Sequence, residues 1–204
     1  MEAQSNRIME EKKTLITVGR QFGSGGLAVA KELGTILGIP VYDGELLEEA
    51  ARKSGLAEHL FNSSDEKRRY WNFGGGLDDA FIFKYQSEAI RALAAEGSAI
   101  FVGRCSNYVL RDMDCTDIFI CAPFELRVKE VAEREGISEA EAERKVNRID
   151  RERADYYNFF TLNKWGAAAE YNLCIDASVL GIKKTAELIC GFIEEAKGFS
   201  VCRI

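Results

Sequence analysis

At 204 residues the chain has room for one main domain and is too short for a repeat array or a multidomain machine. Hydrophobic residues make up 47% and charged residues 29%, a balance that supports a buried core and excludes disorder as the main state. Lys+Arg number 27 against 33 Asp+Glu, and the resulting net charge of -6 argues against a nucleic-acid polymer as partner while leaving a small anionic ligand open. No apolar run approaches the roughly 20 residues that cross a bilayer, and the first residues, MEAQSNRIMEEKK, are charged, so the expectation is a cytoplasmic protein without a membrane partner.

Residues 1–13 are expected to be disordered. The first predicted strand is Thr14–Val18, followed at once by the glycine-rich GRQFGSGG and a helix that carries Leu27, Ala30, Leu33 and Leu37 on one face. A short strand, Pro40–Tyr42, ends at Asp43, and a helix begins near Glu45. The pattern weakens from Ser54 to Leu77, where mixed charges, His59 and the aromatic residues Tyr70, Trp71 and Phe73 point to an excursion from the core. Asp78 can cap a helix running to about Glu96.

Buried strands are expected at Ala99–Val102, Thr116–Cys121 and Tyr171–Ile175, and the strand-helix alternation makes the class α/β with a parallel sheet. Ser138 and Glu141 form an SxxE capping box that opens a charged helix. The last helix, from about Gly181, puts Ile182, Ala186, Ile189 and Ile193 on one stripe, with Asp176 capping the turn before it. The six cysteines form no CxxC pair and read as reduced thiols, and His59 is the single histidine, so a structural metal is not expected.

Candidate chemistry starts at the glycine turn. A glycine-rich turn between a strand and a helix lets backbone N–H groups and the helix dipole converge on an anion. Gly19, Gln21, Phe22, Gly23, Ser24, Gly25 and Gly26 are therefore the candidate phosphate-binding residues. The usual phosphate-loop pattern GxxxxGK[ST] has a lysine and a hydroxyl where this chain has Gly26 and Leu27, and Arg20 is the natural substitute for the lysine. Arg144, Arg148 and Arg151 share one helical face, with Arg153 on another side. Arg148, Arg151 and Arg153 join Arg20 as candidate catalytic residues, because phosphoryl transfer relies on such charges. Asp43 and Arg104 emerge after strands at the carboxyl edge of the sheet, where open α/β folds bind ligands, and are the candidate acceptor-binding residues.

Taken together these segments resemble the P-loop nucleoside monophosphate kinases, and most closely the cytidylate kinase-like family, over roughly Leu15 to Ile193. The segments that carry the resemblance are GRQFGSGG, Tyr42-Asp43-Gly44, VGRCSNYVL, the DxxR of Asp150–Arg153, LCIDAS, and Tyr156, Tyr157, Thr161, Trp165 and Tyr171. The resemblance implies the three-layer P-loop NTPase fold with a five-stranded parallel sheet. It also implies an insert at about 56–77, a lid at about 137–165, ATP and Mg²⁺, and phosphoryl transfer to a (deoxy)cytidylate-like acceptor. Cytidylate kinases proper carry GRD after the third strand, and Cys105 stands in place of that aspartate. Two other readings stay open: a nucleotide-binding or sensing protein with a degenerate loop, and a kinase of a non-nucleotide metabolite.

Overall fold

The computed structural model describes residues 13–46, 49 and 78–197. The expected insert at 56–77, with His59 and the aromatic residues beside it, lies outside the described residues, as do residues 1–12. In β1 (Leu15–Arg20) the first four residues are buried and the last two half-buried, so the strand runs through the interior and emerges at its carboxyl end. It is followed by α1 (Gly26–Leu37), β2 (Val41–Tyr42), α2 (Asp78–Glu96), β3 (Ala99–Val102) and the single-turn α3 (Ser106–Val109). β4 (Cys115–Cys121), α4 (Phe124–Glu135), α5 (Glu139–Thr161), a 3₁₀ turn at Ala168–Glu170, β5 (Leu173–Asp176) and α6 (Ala177–Lys197) complete the chain.

The strands are all parallel and stand in the order β2-β3-β1-β4-β5. β1 is central, with Leu15 opposite Ala99 on one side and Cys115 on the other, so the Arg20 end of the strand lies at the middle of the carboxyl edge. One face of the sheet packs Ile16, Val18, Ile118 and Ile120 against α1 and α6 through Val29, Leu33, Ile189 and Ile193. The other packs Leu15 and Phe101 against α2 and α3 through Tyr85, Ile90, Val109 and Leu110. These are the three layers expected of a P-loop kinase fold. α4 and α5 form a separate small core of Val128, Val131, Ala142 and Val146, with Phe22 of the glycine turn packed against it.

The differences from the sequence reading are local. β1 runs on through Gly19 and Arg20, because β4 supplies partners for both in Phe119 and Ile120. Tyr171 belongs to the exit from the 3₁₀ turn rather than to β5, which runs from Leu173 to Asp176. The non-helical Gly181, at φ 73, ψ 172, separates a short helical turn before it from the long part of α6, which begins there as the sequence places it; the turn is the addition. Asp176 caps that extra turn, its Oδ1 accepting from the Ser178 N–H at 2.9 Å and from the Ser178 hydroxyl. The Ser138–Glu141 capping box forms as expected. Cys105, Cys115, Cys121 and Cys174 carry free thiols, whereas Cys190 is disulfide-bonded, against the expectation that every cysteine is reduced. Among the described residues no helix is long and apolar enough to cross a membrane.

Candidate functional site: a glycine turn beside an arginine cavity

Gly23 and Gly25 adopt φ +79 and +76, which bend the chain sharply from β1 into α1. Side chains inside the turn brace it. The Gln21 N–H donates to Ile120 O at 3.0 Å, Gln21 Oε1 accepts from the Ala122 N–H at 3.2 Å, and the Ser24 hydroxyl donates to Gln21 O at 2.9 Å. The Phe22 N–H donates to Asp150 Oδ1 at 2.7 Å. The N–H groups of Gly23, Gly25, Gly26 and Leu27 make no hydrogen bond among the described residues. Four open donors at the start of a twelve-residue helix make an anion cradle, so the turn fits a nucleotide phosphate. Gln21, Phe22 and Ser24 thus fasten the loop, and the glycine backbone is what remains open.

A buried ion pair ties this loop to α4 and α5. Arg127 Nη1 lies 2.5 Å from Asp150 Oδ2, with side-chain exposures of 6% and 17%, and also donates to Phe22 O at 3.0 Å, while Nε donates to Ala122 O at 3.0 Å. Removing one partner leaves the other charge with little solvent to replace it. We expect Arg127→Ala to cost about 3–5 kcal/mol in urea unfolding, and a loss below about 1 kcal/mol would show that the pair is not holding the loop.

Arg20 leaves β1 across the edge of the sheet. A Cβ on Gly26 would lie 2.5 Å from Arg20 Cβ, and a Cβ on Gly103 would overlap Arg20 Nη1, so two glycines make the channel that this side chain follows. The guanidinium reaches a cavity lined also by Arg104 of the β3–α3 turn and Arg153 of α5. Both Arg20 and Arg153 are half-buried. Burial, then Arg153 and Arg104, push the Arg20 pKa well down against the opposing pull of Asp43. Burial also lowers Arg153, to about 10, with Arg104 and Arg127 adding to the effect and Asp150 opposing it. Each cation is therefore destabilised until an anion arrives, which is the electrostatic definition of an anion site.

Backbone strain places Arg104. Gly103, Arg104 and Cys105 follow one another at φ +79, +58 and +55, a left-handed turn that costs about 1–2 kcal/mol for each residue that is not glycine. Cys105 is 5% exposed, and burial pushes its thiol up to about 12. Raised from an ordinary value near 8.5, the thiol stays protonated at pH 8, with only about 10⁻⁴ as thiolate. Alkylation of the folded protein at pH 8, read by peptide mass spectrometry, is expected to mark the exposed Cys174 and to spare Cys105; equal labelling of both would contradict the burial.

Asp43 lies close enough to Arg20 to support its charge, and its Oδ1 accepts the N–H groups of Glu45 and Leu46, each at 3.1 Å, capping the helical turn that starts at Gly44. Of the arginines on α5, only Arg153 lines the cavity. Arg148 is exposed and pairs with Glu152 at 2.8 Å, and Arg151 is exposed as well. The regular i, i+3, i+4 stripe is the solvent face of the helix. The next residues round its axis, Arg153, Tyr156 and Tyr157, face the sheet edge.

Sequence reasoning missed the uncharged side of the cavity, formed by Asn107, Tyr156, Tyr157, Trp165 and Tyr171. Its signal was the run of aromatic residues after Arg153, which carried only the resemblance. Mg²⁺ fits less well than a phosphate. No cluster of three acidic or imidazole ligands occurs among the described residues, and Leu27 offers no hydroxyl where the usual loop has one.

The arrangement has clear relatives. The chain is 29% identical over 157 residues to a protein named cytidylate kinase from Pyrococcus horikoshii, covering 76% of each. It is 30% identical over 151 residues to the cytidylate kinase of Methanopyrus kandleri, covering 69% of this chain and 72% of that one. An uncharacterized protein from Eubacterium ventriosum superimposes with a TM-score of 0.72 at 30% identity over 89% of this chain and 99% of that one. Shikimate kinase from Aquifex aeolicus shares the fold at a TM-score of 0.51 and 20% identity, over 90% and 98% of the two chains. Residues 15–179 match the cytidylate kinase-like family as a whole, so the chain, a P-loop kinase by its fold, belongs to that family.

Proposed function

We propose that the protein transfers the γ-phosphoryl group of ATP to a small anionic acceptor, most simply a (deoxy)cytidylate-like nucleoside monophosphate. The convergence of Arg20, Arg104 and Arg153 on one cavity, which the glycine-rich segment enters through Gly19 and Arg20, carries this reading. ATP supplies the γ-phosphoryl group and ADP leaves; Mg²⁺ brought in with ATP would neutralise the charge on its phosphates. The backbone of Gly23 to Gly26 holds the donor's β-phosphate. Val179 and Ile182, exposed at the start of α6 with Ile182 near Gly25, offer an apolar surface to the adenine.

On the acceptor side Arg104 and Arg153 hold the anionic group, and Asp43 orients Arg20. Arg20 spans the gap between the two sides and meets the charge that develops between them. An acceptor phosphate is already ionised, so its oxygen bonds to the γ-phosphorus as the bond to the β,γ-bridging oxygen breaks, and no general base is required. Segment 137–165 serves as the lid, with α5 bringing Arg153 to the site. Arg148 and Arg151, on its solvent face, have no part in holding substrate in this arrangement.

A mass-spectrometric product assay with MgATP and CMP, dCMP, UMP and AMP tests the proposal. A diphosphate from at least one acceptor is the expected result. Gly26 and Leu27, in place of the usual lysine and hydroxyl, favour a second reading, a nucleotide-sensing protein; tight ATP binding without any product would select it. Turnover of a phosphorylated acceptor without a base would instead select the metabolite kinase.

A further inference from the structure

The cavity has two unlike sides. Arg20, Arg104 and Arg153 stand on one, and the other is uncharged: the phenols of Tyr156, Tyr157 and Tyr171 and the Cys105 thiol are ordinarily protonated at neutral pH, and burial raises them further. Among the uncharged lining residues the Asn107 Nδ2 donates to the Tyr157 hydroxyl at 2.9 Å. Tyr157 is 4% exposed, and its hydroxyl also interacts with that of Tyr171, which sits over Gly19, where an added Cβ would lie 3.2 Å away. The Asn107 Oδ1 accepts no hydrogen bond among the described residues, and the second Nδ2 hydrogen is likewise unspent. An amide fixed in this way presents an acceptor beside a donor, in one plane, next to aromatic faces. That is the complement of the edge of a planar heterocycle with a donor next to an acceptor, and a bare sugar phosphate has no such edge.

We infer that Asn107, held by Tyr157, reads the heterocyclic base of the acceptor and is the specificity-determining residue of this pocket. The inference rests on the proposal that the arginine side holds the acceptor's phosphate, and it assigns the rest of the cavity to a neutral base. A carboxylate at this position would accept only, whereas the amide serves bases of either donor-acceptor order.

Calorimetric titration of the full chain with CMP, UMP and ribose 5-phosphate separates these roles. In the wild type both nucleotides are expected to bind about tenfold or more tighter than ribose 5-phosphate. Asn107→Leu is expected to erase that gain and leave ribose 5-phosphate binding unchanged, a split that a merely structural role would not produce. Asn107→Asp is expected to weaken UMP, whose imide edge presents two carbonyls, more than CMP. Equal binding of all three probes by the wild type, or an equal loss of all three in Asn107→Leu, would overturn the inference. Product formation measured on the same samples reports separately on phosphoryl transfer: base-dependent binding without product would remove the kinase reading and leave the role of Asn107 standing.

Discussion

Replacing Arg20 with alanine is expected to lower kcat/KM for phosphoryl transfer by about 10²–10³-fold, the loss typical of a preorganised donor to transition-state charge. The stability of the variant should move the other way. Burial and the neighbouring Arg153 and Arg104 lower the Arg20 pKa, so its charge is disfavoured in the folded chain relative to the unfolded one. Deleting it removes that penalty, and urea unfolding is expected to show Arg20→Ala at least as stable as the parent. Activity lost together with stability would point to a structural role, and unchanged kinetics would remove Arg20 from the mechanism.

The second large effect concerns the missing lysine. Restoring the usual loop with Gly26→Lys is expected to abolish activity, because its Cβ would lie 2.5 Å from that of Arg20 and neither backbone can give way without moving β1 or α1. Arg20 and Gly26 are thus alternatives to a glycine and a lysine at the same two places. Arg20→Gly combined with Gly26→Lys is expected to recover part of what each single change loses, a strongly non-additive cycle read in kcat/KM. Additive losses would mean that the two positions do not share one slot.

Much of this was written in local patterns. The β-branched runs, the glycine turn and the Gly103-Arg104 pair after β3 each combine composition with position, and each stands where the pattern places it. The arginine stripe misled because helical periodicity says which residues share a face and not which way the face points. Packing of Val146 and Ala142 on α4 turns the Arg148–Arg151 side outward and leaves Arg153 to face the cavity. The Arg127–Asp150 clamp joins residues 23 apart on different helices, and no spacing rule predicts it. The long helix begins at Gly181 as its pattern places it, and the short turn before it escaped the pattern because Asp176 opens it through a side-chain cap rather than through an apolar stripe.

A single cleft with a nucleotide on the glycine turn and an acceptor phosphate on Arg104 and Arg153 would bind one ligand that carries both. Equilibrium binding of a bisubstrate probe, adenosine joined to cytidine through five phosphates, measures both halves at once in the wild type and in Arg153→Ala. The wild type is expected to bind the probe about a hundredfold or more tighter than ATP, and Arg153→Ala to lose most of this gain while its affinity for ATP stays the same. A probe bound no tighter than ATP, or an Arg153→Ala variant that binds both as the wild type does, would contradict the single cleft.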